Sequence, residues 1–255
     1  MARQADDESS GQKSFEPERL EAMRAFVAQM EFTSKASGFP RVLEKQALFR
    51  YDDQARGYID GTVWRLGEKG RPKAIVTAEL HPKYDNAQRI VCDYLSLSED
   101  PFRAKVTPDV AWMPTGSAVT FMPLTDVPTL SPSKPQRLFQ LKKMAERFVA
   151  QQIVEGEKLE LRLLPRPIDR YQPVENTDSD AALFLFVSGR NPGILLAIEA
   201  TETEWKYGVG RLSGPSKLTV ELDGQIVWQV TPATYSWNGP YTASNFPIAI
   251  PGIGE

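Results

Sequence analysis

The sequence predicts an α+β protein built as two tandem repeats, each one amphipathic helix packed on a curved antiparallel β-sheet of about 5–6 strands, related by a pseudo-twofold axis. Three observations carry this. The chain passes from a helical stripe to a strand-like texture, through a proline-rich stretch, and then to a second stripe and a second strand-like region. Positions coincide at one offset: Arg50-Tyr51, Asp60, Pro72 and Glu79 each stand 120 residues before Arg170-Tyr171, Asp180, Pro192 and Glu199. Flanking blocks keep the same order at nearby offsets, with Phe26-Val27-Ala28-Gln29 beside Phe148-Val149-Ala150-Gln151, and 106–112 beside 222–228.

Taken in order, residues 1–13 read as a disordered lead, with no periodicity and few apolar side chains. The first repeat spans 14–113. Its helix starts at Ser14-Phe15-Glu16-Pro17-Glu18, with acids and a proline in the first turn. Leu20, Met23, Phe26, Val27 and Met30 form one stripe, broken at Ser37-Gly38-Phe39-Pro40. Runs of β-branched and aromatic residues then predict strands at 42–51, 60–66, 73–80, 88–97, 102–106 and 109–113, joined as an antiparallel meander. Residues 114–133, holding Pro114, Pro123, Pro128 and Pro132, predict an extended linker.

The second repeat spans 134–232. Pro135 sits in the first turn of its helix, and the stripe is Leu138, Leu141, Ala145, Phe148, Val149 and Gln152. Strands follow from Leu159 to Val230, with Asp223-Gly224 as a two-residue hairpin turn. Gly208-Val209-Gly210 reads as a bulge or bend in one of them. Residues 233–255, with Pro240, Pro247 and Pro251, read as an irregular C-terminal tail.

The totals narrow the function classes. An apolar fraction of 41% and a charged fraction of 25% are those of an ordinary globular chain able to bury a core. A formal charge of −3 argues against a nucleic-acid partner, which draws on a basic excess. One cysteine leaves no intrachain disulfide. No stretch approaches the roughly 20 apolar residues of a membrane span, so no membrane partner is expected. The polar start, with Asp6, Asp7 and Glu8, lacks the apolar stretch of a secretory signal. The chain as given therefore reads as cytoplasmic, with an exported mature form as the other reading.

Three stretches carry a resemblance: Leu161-Arg162-Leu163-Leu164-Pro165-Arg166-Pro167-Ile168-Asp169-Arg170-Tyr171, Tyr94-Leu95-Ser96-Leu97-Ser98, and Leu222-Asp223-Gly224-Gln225-Ile226-Val227-Trp228. Together they resemble an uncharacterised family of bacterial hypothetical proteins with two tandem α+β repeats, over roughly residues 42–230. The resemblance implies no activity. Many members of that family look exported, and this chain departs from them by lacking a signal.

Chemistry-bearing residues are few. His81 is the only histidine, in a stretch that reads as a solvated loop. Cys92 lies in the apolar run Ile90-Val91-Cys92 and reads as a small buried hydrophobe. One histidine and one cysteine make no metal-ligand spacing, and no glycine-rich phosphate loop or nucleophile elbow is present. No metal and no cofactor is therefore predicted. The best constellation is the recurring one. Glu79 and Glu199 end apolar runs, with Arg50 and Arg170 as partners on neighbouring strands and Tyr51 and Tyr171 as aromatic cover.

An Arg–Glu pair that fixes strand register in each repeat is the plain reading. The sharper one has the two glutamates converging as general acid and base, as paired carboxylates do in glycoside hydrolysis. Trp112 and Trp228 read as core. Trp205 and Trp237, with Tyr207, Tyr235 and Tyr241, form a candidate aromatic groove. The function expected is a non-enzymatic binding or protein-interaction module built as an intrachain pseudo-dimer, with a protein or small ligand at the repeat junction. The competing expectation is a carboxylate-based hydrolase with its site between the repeats.

Overall fold

Runs such as 180–188 and 191–200 are buried almost from end to end, so both faces of these strands are covered. In a computed structural model, which describes residues 15–34, 46–67, 70–154, 156–173 and 177–254, that covering comes mainly from other strands. The expected disordered lead at 1–13 and the break at Ser37-Gly38-Phe39-Pro40 lie outside the described residues.

The elements in chain order are α1 (Glu16–Ala28), β1 (Glu31–Ser34), β2 (Phe49–Asp53), a 3-10 turn (Gln54–Arg56), β3 (Tyr58–Leu66), β4 (Ala74–Tyr84), β5 (Ala87–Ser96), β6 (Phe102–Lys105), β7 (Ala111–Trp112) and β8 (Phe121–Pro123). Then follow α2 (Lys134–Ala145), β9 (Phe148–Val154), β10 (Glu157–Leu163), β11 (Asp169–Tyr171), β12 (Asp180–Ser188), β13 (Asn191–Ala200), β14 (Trp205–Arg211), β15 (Lys217–Leu222), β16 (Gln225–Val230) and β17 (Tyr241–Pro247).

This overturns the expected α+β pair of helix-on-sheet repeats. Strand makes up 49% and helix 13% of the described residues, and the described strands form three sheets. A five-stranded sheet runs β17-β5-β4-β3-β2, and a three-stranded sheet runs β1-β6-β7. A curled nine-stranded sheet runs β16-β15-β9-β10-β12-β13-β14-β8, with β11 also on β12. Every pairing among the described residues is antiparallel.

Three physical causes separate this fold from the expectation. First, stretches that read as irregular are strands. β8, from the expected linker, pairs with β14, and β17, from the expected tail, pairs with β5. Second, β10 pairs with β9 over Glu157–Leu161 and with β12 over Arg162 and Leu163, so the last hairpin joins the central strands in one curled sheet. Third, the matched tetrapeptides differ in structure: Phe26-Val27-Ala28-Gln29 closes α1, whereas Phe148-Val149-Ala150-Gln151 opens β9. Residues 148–154 alternate buried and open, which is strand periodicity.

The core has two kinds of layer. Val63, Ile75 and Leu95 meet Leu183, Leu185, Leu195 and Ala197 in one buried cluster between the five-stranded and nine-stranded sheets. On the outer faces, Met23 and Val27 of α1 pack with Trp64 and Val76, and Leu141 and Ala145 of α2 pack with Phe184 and Leu196. Each helix buries a narrow row at four-residue spacing: Arg19, Met23 and Val27, then Arg137, Leu141 and Ala145. Trp112 is fully buried, whereas Trp228 is half-buried on the edge strand β16. The Asp223-Gly224 turn has both residues at positive φ, 50° and 80°, as a tight hairpin of that type requires. Among the described residues no helix is long and apolar enough to cross a membrane.

Gly208 and Gly210 do not mark a bulge, because β13 and β14 pair in unbroken register. They allow close approach. A Cβ on Gly208 would stand 2.6 Å from Val119, and one on Gly210 would stand 2.7 Å from Leu95. Gly210→Val is therefore expected to lower stability by about 1–3 kcal/mol through overpacking, read as a lower urea midpoint. An unchanged midpoint would show that Leu95 and Val119 can move aside.

Candidate functional site

The 120-residue offset marks one recurring contact set rather than a recurring fold. Arg50 Nε donates to Asp60 Oδ1 at 2.8 Å and its Nη2 to the Glu16 carbonyl at 2.6 Å. Arg170 repeats this with Asp180 at 2.8 Å and the Lys134 carbonyl at 2.7 Å. Each guanidinium thus ties a strand pair to the first residue of a helix. The expected Arg50–Glu79 and Arg170–Glu199 pairs do not form, since the nearer aspartates take both forks.

The glutamates are held by the tyrosines instead. Cross-strand register places Tyr51, Gly61 and Glu79 in one row over β2, β3 and β4. It places Tyr171, Ala181 and Glu199 in one row over β11, β12 and β13. The small middle residue lets the ring lie over its strand, and the Tyr51 and Tyr171 hydroxyls donate to Glu79 at 3.0 Å and Glu199 at 2.7 Å. Burial, with the adjacent carboxylate charge, pushes both phenols well above their ordinary value.

The two rows then diverge. Arg71 reaches across from the β3–β4 connection and grips Glu199 with both nitrogens, at 2.8 and 2.7 Å, while stacking 3.8 Å from the Phe121 ring. The residue 120 positions after Arg71 is Asn191, so no guanidinium arrives at Glu79. Glu79 keeps Tyr51 and, at 3.2 Å, His81 Nε2. Glu199 is sealed in the interior, and Glu79 lines a cleft of about 550 Å³ between the sheets, within the range of small-molecule sites. The two glutamates do not share that cleft. Arg71→Met leaves the Glu199 carboxylate without its cation and is expected to cost about 1–3 kcal/mol. Adding Glu199→Gln should recover much of the loss in thermal unfolding. No recovery would show that Arg71 acts through its stack on Phe121.

His81 is not the solvated loop residue expected. It is part of β4, 8% exposed, and lies between the Tyr58 and Tyr84 rings at 5.3 and 5.5 Å. Alternation puts Thr77, Glu79 and His81 on the inner face of β4, and Asp93 joins them from β5, two residues beyond Val91, which stands opposite Glu79. Asp93 accepts from the Tyr241 hydroxyl and, at 3.3 Å, from Thr77 Oγ1. Burial first, and then the charge of Glu79, push its carboxyl up to about 7, against the pull of those hydrogen bonds and of Arg211. Arg211 donates only to backbone, reaching the carbonyls of Ser213, Gly214, Ser216 and Thr231. Two further cleft residues hold buried polar atoms without a partner, the Tyr58 hydroxyl and the Gln152 amide nitrogen.

Because the folded state raises the Asp93 pKa, its proton is bound more tightly when folded. Its contribution to stability is full below about pH 4 and is lost as pH rises to about 7. Asp93→Asn, which keeps an acceptor for Tyr241, should therefore be more stable than the parent at pH 8, with the gap closing toward pH 4. Urea unfolding across that range checks this, and a pH-independent gap would refute it.

Of the other sequence candidates, Trp205 is 4% exposed in the core beneath α2, and Trp237 packs on the core beneath α1, 6.0 Å from Tyr94. Neither lines the cleft. Sequence reading missed Asp93, Tyr58 and Gln152; the one available signal was Asp93 interrupting the apolar run 90–95. Cys92 is fully buried, and burial pushes its thiol up. Comparison with protein-family models, with curated proteins and with solved structures finds no match.

Proposed function

We propose that the protein is a binding module that takes up a small polar ligand in the cleft between its five-stranded and nine-stranded sheets. The single observation that carries this is the set of uncompensated polar groups there. Glu79 lacks the guanidinium that closes Glu199, and the Tyr58 hydroxyl and Gln152 amide have no partner. Buried polar groups without partners cost about 1–3 kcal/mol each and are retained where they serve a bound group. Both sheets contribute walls, so the site exists only in the assembled chain.

A second reading has one observation of its own. Asp93 holds a proton near neutral pH beside Glu79, which is the arrangement of a general acid next to a base, so a carboxylate-based hydrolase would centre on these two.

The test is a ligand-observed NMR screen of a chemically mixed fragment library against the full chain and Ala243→Trp. Ala243 lies opposite Asp93 on β17 and lines the cleft, so a tryptophan there fills it. Hits that bind the parent and are lost in a folded Ala243→Trp variant support the binding reading. Hits unaffected by the substitution, or no hits, overturn it. Turnover of any hit, abolished by Asp93→Asn, would favour the hydrolase.

A further inference from the structure

Resting on the binding reading above, we infer that the cleft takes a neutral, polyhydroxylated ring, a sugar of one or two residues. Charge is the first argument. The acids Glu79 and Asp93 line the cleft together with the cation Arg56 and with His81. Arg56 is already bonded to Asp53 at 2.6 Å. A ligand of either net charge would meet a fixed charge of its own sign within the same walls, and a neutral ligand meets none of that repulsion.

Hydrogen-bonding capacity is the second argument. Glu79 and Asp93 offer acceptor lone pairs, whereas the unpaired Gln152 nitrogen only donates and the unpaired Tyr58 hydroxyl does either. One ligand must therefore donate and accept within a short span. An ammonium only donates and a phosphate or carboxylate only accepts, but a hydroxyl does both. Asn245 and Asn191, each able to donate and accept, extend the same mixed lining on two further strands.

Shape is the third argument. Tyr235, which is half exposed, and Tyr84 both line the cleft, so two aromatic rings are among its walls. Such faces suit the C–H face of a pyranose, which is apolar while its rim is polar. The cleft volume of about 550 Å³ leaves room for one or two such rings.

The experiment is saturation-transfer and amide-shift NMR on the full chain at pH 7. The neutral probes are methyl β-D-glucopyranoside, methyl β-D-galactopyranoside, cellobiose and maltose. The charged probes of matched size are glucosamine, glucuronate and glucose 6-phosphate. A neutral sugar should shift amides of Tyr58, Asp93 and Tyr235 and the Gln152 side-chain amide. Tyr235→Ala should weaken that binding at least ~10-fold with unfolding unchanged, and Phe139→Ala, on exposed α2 surface, should not alter it. Charged probes binding the cleft more tightly than neutral ones would overturn the ligand class and leave the binding reading standing. If fragments bind but no sugar does, the class alone fails. If neither binds the folded chain, both fall.

Discussion

A carboxylate placed between two packed sheets must find hydrogen-bond donors, and the arrangement here follows from how that demand is met. Both glutamates of the inner layer are reached by a tyrosine lying across a small residue on the intervening strand. That geometry fixes three strands in register at once, because a slip of one residue would turn the acid to the opposite face. It satisfies only part of each carboxylate. The remainder is met by Arg71 on one side and left to His81 and the cleft on the other. A single exchange of guanidinium for amide between equivalent positions separates a structural site from an open one.

Part of this was legible in the chain. The matched Arg-Tyr, Asp and Glu positions are the residues that make the recurring contacts, and the Asp223-Gly224 turn and most strand boundaries of 58–105 lie close to where their local chemistry placed them. The partners were misassigned because strand register cannot be read from apolar runs buried on both faces. Alternation is hidden when both sides are greasy, so which side Glu79 or Asp93 occupies has no local signal. The helix expectation failed for a related reason. Met23 and Val27 do cover the sheet, yet its other face is covered by the second sheet, and β8 and β17, whose proline-flanked sequences give no hint of pairing, extend the two sheets.

His81 shows the same limit at the level of one residue. Followed by proline and placed after an apolar run, it has the local appearance of a loop. Strand β4 continues to Tyr84, and the pairing of His81 with Arg89 keeps the imidazole between two tyrosine rings. Proline is tolerated there where the register shifts between His81 and Tyr84, so no ladder donor is required of it.

The exchange of strands between the two halves has a consequence for synthesis. Tyr94 pairs with Thr242, and Phe121 pairs with Gly208, so each large sheet is completed by a segment encoded far from its other members. On a ribosome, β5 emerges well before β17 and must wait with one edge bare. The amino-terminal portion therefore cannot mature as an independent nascent unit, and final closure belongs to the moment after residue 247 leaves the exit tunnel. Pairings this distant in sequence also make closure slow, since the ends must be gathered before any contact rewards them.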